Sequence, residues 1–132
     1  MEVKEAVGSD EDILVRLLPP TSHIEINAIQ RASTIIVQKS LKEGFGLTIT
    51  EALWKEKPVI AGAVGGVPLQ IKHEHSGILT SSIDETSYWM QRLLEEPDFA
   101  RKLGESGKSY VLKNFLLTRH IRDYLQLFSS LL

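Results

Sequence analysis

Between Asp12 and Thr80 the chain alternates short, branched apolar runs with segments of helical spacing, and this alternation constrains the fold more than any other feature. Four runs have strand character: DILVRLL over 12–18, TIIV over 34–37, PVIA over 58–61 and GILT over 77–80. Each is short, rich in branched residues and bounded by Pro, Gly, Ser or Asp, as strands buried on both faces are. Between them lie helical signals. Ser22-x-x-Glu25 has capping-box spacing before a helix over His23–Ala32, with Ile24, Ala28 and Ile29 on one face. Thr48-x-x-Glu51 repeats that spacing and opens a helix through Lys55. A short helix over Val67–Ile71 follows the glycine-rich turn 62–66.

From Asp84 onward the pattern is helical. Tyr88, Leu93 and Leu94 form one apolar face behind a cap at Asp84. Pro97 stands where a further helix begins, a favoured place for proline. Leu117–Leu132 carries Ile121, Tyr124, Leu125 and Phe128 at helical spacing. Strands alternating with helices predict an α/β fold, a doubly wound parallel sheet with a helical C-terminal tail. At 132 residues the whole chain, 1–132, fits a single domain.

Composition narrows the function classes. Fifteen Lys and Arg against seventeen Asp and Glu give a net charge of −2, which lacks the basic footprint of a nucleic-acid binder. With no cysteine, disulfides, thiolate nucleophiles and Cys-ligated zinc are excluded. No apolar run approaches the roughly 20 residues of a membrane span, and the charged start MEVKE is unlike a secretory signal. The expected setting is cytoplasmic, with neither membrane nor nucleic acid as partner.

The chemistry concentrates in Glu43-Gly44-Phe45-Gly46-Leu47-Thr48-Ile49-Thr50-Glu51. This stretch leaves a strand and enters a helix, at the end of a parallel sheet where ligands bind. Gly44 and Gly46 let the backbone approach a ligand closely. The helix start offers unpaired N–H groups and the positive end of its dipole to an anion. Glu43 and Glu51 flank that anion site and can accept hydrogen bonds from sugar or ribose hydroxyls. Phosphate in the middle with a polyol on each side describes a nucleotide sugar. The residues alone leave a second reading open: Glu51 as a capping acid, Glu43 as a solvated loop acid and the glycines as a turn.

The run EGFGLTITEALWKEKPVIAGAVGG resembles the donor-binding core of the glycogen-synthase-like retaining glycosyltransferases of the GT-B fold. The likeness runs from Ala32 to the end of the chain, through Ser40, Val64-Gly65-Gly66, Ser76-Gly77-Ile78-Leu79 and Leu103-Gly104. Within that family it is nearest the trehalose-forming synthases. The resemblance implies a partial Rossmann-like domain and a nucleoside-diphosphate sugar as ligand. It implies that Glu43, the catalytic residue, contacts the transferred hexose, that Gly44, Phe45 and Gly46 set backbone amides against the sugar, that Leu47 and Thr48 offer N–H groups to the diphosphate, and that Glu51 holds the ribose. It implies no metal and no cofactor.

Members of that family have two domains, and their acceptor site and a basic diphosphate-binding pair have no counterpart in these residues. The chain is therefore expected to be the last third of a hexosyltransferase, inactive alone, partnered by a missing N-terminal domain and forming homo-oligomers through an exposed sheet edge. Alternatives are a non-catalytic truncated paralogue acting as a binding or scaffold module, and a fragment of a GT-B sugar-nucleotide epimerase. The chain departs from the family pattern at Lys39, where proline is common, and at Gly62-Ala63, where polar residues are common. Lys39, Lys42, Lys55 and Lys57 are expected to be solvated. His73-Glu74-His75 reads as a surface turn rather than a metal site, Ser22 and Ser40 lack a visible nucleophile's partners, and Trp54 and Trp89 read as packing residues.

Overall fold

The computed structural model describes residues 2–131; Met1 and Leu132, the outer limits of the expected domain and terminal helix, lie outside it. The elements in chain order are α1 (Glu2–Val7), α2 (His23–Ala32), β1 (Ile36–Gln38), α3 (Leu47–Trp54), β2 (Val59–Gly62), α4 (Val67–Gln70), β3 (Ile78–Thr80), α5 (Ile83–Glu95), α6 (Pro97–Asn114) and α7 (Leu117–Ser129). The three strands form one parallel sheet in the order β1-β2-β3.

Strand alternation in β2 assigns the two faces of the sheet. Val59 and Ala61 join Ile49, Ala52 and Leu53 of α3, Val67, Ile71 and Val111 in one buried cluster. Ile60, together with Ile78 of β3, joins Trp89 and Leu93 of α5 and Ala100 and Leu103 of α6 in the other. Helices thus cover both faces of the central strand, as a doubly wound sheet requires. At 18 residues, α6 spans about 27 Å and serves both clusters. A Cβ at Gly104 would overlap the Glu56 carbonyl, so glycine lets α6 lie against the end of α3.

Several expectations need correction. The run 12–18 is not a strand: it is without regular structure, and its apolar side chains are largely exposed, Leu17 at 94%. A strand exists by pairing its N–H and C=O groups with a neighbour, and no described strand lies beside this run. Strand β1 begins at Ile36, not Thr34, and its Val37 is 42% exposed because β1 is a sheet edge. Neither expected capping box forms. Ser22 is the N-cap of α2 but makes no side-chain bond there. Helix α3 starts at Leu47 behind Gly46, so Thr48 is already within its first turn and cannot cap. The capping box lies instead at Ser82 and Glu85, where Asp84 had been expected to cap. Backbone N–H bonds from Ser81 and Ser82, with Lys39 and His73 nearby, hold the Glu85 carboxyl below the ordinary carboxylate range. Helix α1 has no counterpart in the sequence reading.

Candidate functional site

Glu43 and Gly44 sit in the loop that leaves the carboxyl end of β1, the end at which open parallel sheets as a class bind ligands. The Glu43 carboxylate is held by three donors. Gln38 Nε2 donates to its Oε2 at 2.8 Å, Ser40 Oγ approaches the same oxygen at 3.4 Å, and the Gly44 N–H donates to Oε1 at 3.0 Å. Gln38 is the last residue of β1, so the sheet itself aims this carboxylate.

A second glycine turn is keyed into the first. The Gly66 N–H donates to the Gly44 carbonyl at 2.9 Å. A Cβ at Gly65, whose φ is +55°, would overlap the Glu43 carbonyl oxygen, and one at Gly66 would overlap that of Gly44. Absent side chains are what allow the 43–44 and 64–66 backbones to touch. Gly46 then turns the chain into α3 with φ +80° and ψ +63°, a left-handed conformation suited to glycine. The N–H groups of Leu47 and Thr48, at the start of α3, have no helical carbonyl one turn earlier to pair with, whereas the Ile49 N–H already donates to the Gly46 carbonyl at 3.0 Å. Phe45 is fixed from outside: its ring meets Phe115 edge-on at 5.6 Å.

Glu51 lies on the next turn of α3. Its Oε2 accepts from Gln30 Nε2 of α2 at 3.2 Å. Gln30 Oε1 accepts in turn from Lys55 Nζ at 2.6 Å, and Lys55 Nζ reaches the Glu51 carbonyl at 3.4 Å. Lys55 is therefore not simply solvated, as its position in sequence had suggested. At the C-cap of α3, one turn after Glu51, it meets the amide that α2 lays across that face. A cavity of about 320 Å³ opens beside Glu51, lined also by Phe45, Leu47, Trp54 and Phe115. A larger opening of about 520 Å³, between Lys72, His75 and the outer face of α6, includes no motif residue.

The structure thus joins Glu43, Gly44, Phe45, Gly46, Leu47 and Thr48 into one loop and helix start, with Glu51 a turn further along α3. Gln30 and Gln38, the partners of the two carboxylates, were missed, because a glutamine among mixed residues carries no signal of its own. The two departures from the family pattern are neighbours: a Cβ at Gly62 would lie 2.9 Å from the Ser40 carbonyl and 3.8 Å from Lys39 Nζ. His73 Nδ1 accepts the Leu79 N–H at 3.1 Å, so that ring helps to shape the 72–79 turn. Trp89 is buried, whereas Trp54 is half-exposed beneath Lys108.

Known proteins resemble this chain in sequence and in fold. The family model described as glycosyl transferases group 1 matches residues 13–110. A trehalose synthase from Rubrobacter xylanophilus is 47% identical over 95% of this chain and 30% of its own length. The sucrose-phosphate synthase of Thermosynechococcus elongatus superposes with a TM-score of 0.73 at 30% identity, over 88% of this chain and 31% of that one. Anabaena HepE, in a crystal structure with UDP-glucose, superposes with a TM-score of 0.71 at 22% identity, over 80% of this chain and 30% of that one, a likeness of fold. The chain spans about 30% of the length of the trehalose synthases it matches.

Proposed function

The chain belongs to the glycosyl transferases group 1 family, and on that premise we propose that it is the donor-binding part of a retaining hexosyltransferase that uses a nucleoside-diphosphate glucose. The whole enzyme transfers that glucose to a second glucose and forms trehalose. The observation that carries the reading is the convergence of Glu43, two interlocked glycine turns and the start of α3 at the open end of a parallel sheet.

Each part has a task in this reading. Glu43, aimed by Gln38, accepts from hydroxyls of the transferred hexose. The backbone of Gly44, Phe45 and Gly46 lies against the sugar ring. The first-turn N–H groups at Leu47 and Thr48, with the helix dipole behind them, take the diphosphate and stabilise the charge that builds on it as the glycosidic bond breaks. Glu51 accepts from the ribose. Acceptor binding and turnover need groups beyond these residues, so the isolated chain binds donor without turning it over.

Calorimetry separates the two carboxylates. Glu51→Ala weakens binding of a free nucleoside diphosphate, whereas Glu43→Ala spares the free diphosphate and weakens the glucose-bearing donor. A lost hydrogen bond to a charged group costs about 1.5–3 kcal/mol, roughly one to two decades in affinity. UDP and ADP, each with its glucose conjugate, cover the nucleobase. Equal losses for both ligands in both variants would refute the division of labour.

A further inference from the structure

We propose that Gln30 is a positioning residue for the ribose-binding carboxylate, an inference that rests on the donor-site reading above. Gln30 is 4% exposed and is the one buried residue of α2. Its neighbours on that helix face solvent, Ile24 at 82% exposure. A long polar side chain is thus what α2 buries, and its amide goes to Glu51 and Lys55.

The orientation of that amide is fixed by chemistry. Amide oxygen and nitrogen are nearly indistinguishable by shape, and their assignment rests on their partners. An ammonium can only donate, so the end of Gln30 that faces Lys55 Nζ at 2.6 Å must be its carbonyl oxygen. The other end must then be the NH₂ group, a donor, and it faces Glu51 Oε2 at 3.2 Å. Lys55 therefore sets Gln30, and Gln30 sets Glu51. With Oε2 engaged, Glu51 Oε1 remains to accept from a ribose hydroxyl. A ligand carboxylate held by a packed neighbour meets its partner without a search over rotamers, which is how a supporting residue improves affinity.

The arrangement also couples α2 to the ligand. Helix α2 reaches α3 through this amide, so whatever orders Glu51 also orders α2. The glutamine at the other carboxylate differs in kind: Gln38 belongs to the sheet and shares Glu43 with the Ser40 hydroxyl and the Gly44 N–H. Glu51 has a single side-chain donor among the described residues, and removing it leaves the carboxylate unsupported.

The test compares two ligands rather than one. Wild-type chain is titrated with whichever of UDP and ADP it binds, and with the matching 2′,3′-dideoxy diphosphate, which has no hydroxyl for Glu51. Wild type should prefer the ribose ligand by roughly tenfold or more. Gln30→Met, close in shape and unable to donate, should weaken the ribose ligand by roughly tenfold and leave the dideoxy ligand unchanged, so the preference collapses towards one. Lys55→Met, which keeps Gln30 but frees its amide to turn, should lower the preference part of the way. It also serves where Gln30→Met fails to fold, as a thermal melt will show. A preference retained in both variants overturns the proposal, as does an equal fall for the two ligands, the mark of a merely structural role. A wild-type chain that binds neither diphosphate, or shows no preference for ribose, overturns the donor-site reading itself, and does so before any variant is made.

Discussion

The block from Gly46 to Val111 and the segments flanking it contain similar apolar side chains and treat them in opposite ways. Within the block, Ile49, Leu53, Ile60 and Ile78 are completely buried between the sheet and its two helical layers. In the flanks, Leu14 and Leu17 lie in the open, and α7 buries none of its residues despite a stripe of Ile121, Tyr124, Leu125 and Phe128. Apolar content does not make a core. A facing layer does, and among the described residues neither the run 12–18 nor α7 is covered by one.

The sharpest way to break this contrast is at the glycine interlock. Gly65→Ala places a Cβ against the Glu43 carbonyl on a backbone with φ +55°. It should cost about 4 kcal/mol, read by denaturant unfolding, which is a large share of the 5–15 kcal/mol that holds a typical domain. An unchanged midpoint would show that the two turns can separate freely.

A paired measurement sharpens the comparison. Leu53→Ala should cost about 3 kcal/mol, since its cavity is walled by both α6 and the sheet. Leu17→Ala should stay within about 0.5 kcal/mol. Similar losses at both positions would mean that the flank packs in solution. A third change acts inside the block with the opposite sign. The Gln70 side chain is fully buried, and neither its oxygen nor its nitrogen has a partner among the described residues. Gln70→Met should therefore stabilise the chain by about 1 kcal/mol, seen as a higher melting temperature. A lower one would reveal a bound water or a partner for the amide.

The smallest expected change in stability falls on α7. Leu125→Glu should leave unfolding within about 0.5 kcal/mol. Yet the wild type should self-associate through α7 or the edge of β1, with a dimer as the first closed form. Light scattering after gel filtration at micromolar concentration should give a dimer for the wild type; a monomer for Leu125→Glu assigns the contact to α7, and a dimer for that variant assigns it to the edge of β1. A wild-type monomer would show that the edge and stripe are protected.

What the sequence made legible follows the same division. Helices α3, α5, α6 and α7 and strands β2 and β3 lay where periodicity, Pro97 and the glycines put them, because both partners in each contact are in the block or the pattern is purely helical. The run 12–18 has the composition of a strand, but composition cannot supply a neighbour. Local capping spacing misled at Thr48 because Gly46 caps the helix two residues earlier, a choice made by backbone conformation rather than by side-chain type. At the site, the loop and both carboxylates were visible as a motif. Their supports were not: Gln38 sits five residues before Glu43 and Gln30 twenty-one before Glu51, and only the packing of α2 and β1 brings each pair together.

The interlock of the two glycine turns also has a genetic reading. Every glycine codon begins with two guanines, and any single-base change that alters the amino acid yields either a residue with a Cβ or a stop. At positions 65 and 66 each such Cβ is aimed at a backbone carbonyl of the 43–44 loop. Neither position has a neutral neighbour one mutation away, so a lineage can leave these glycines only by rebuilding the 43–44 loop at the same time.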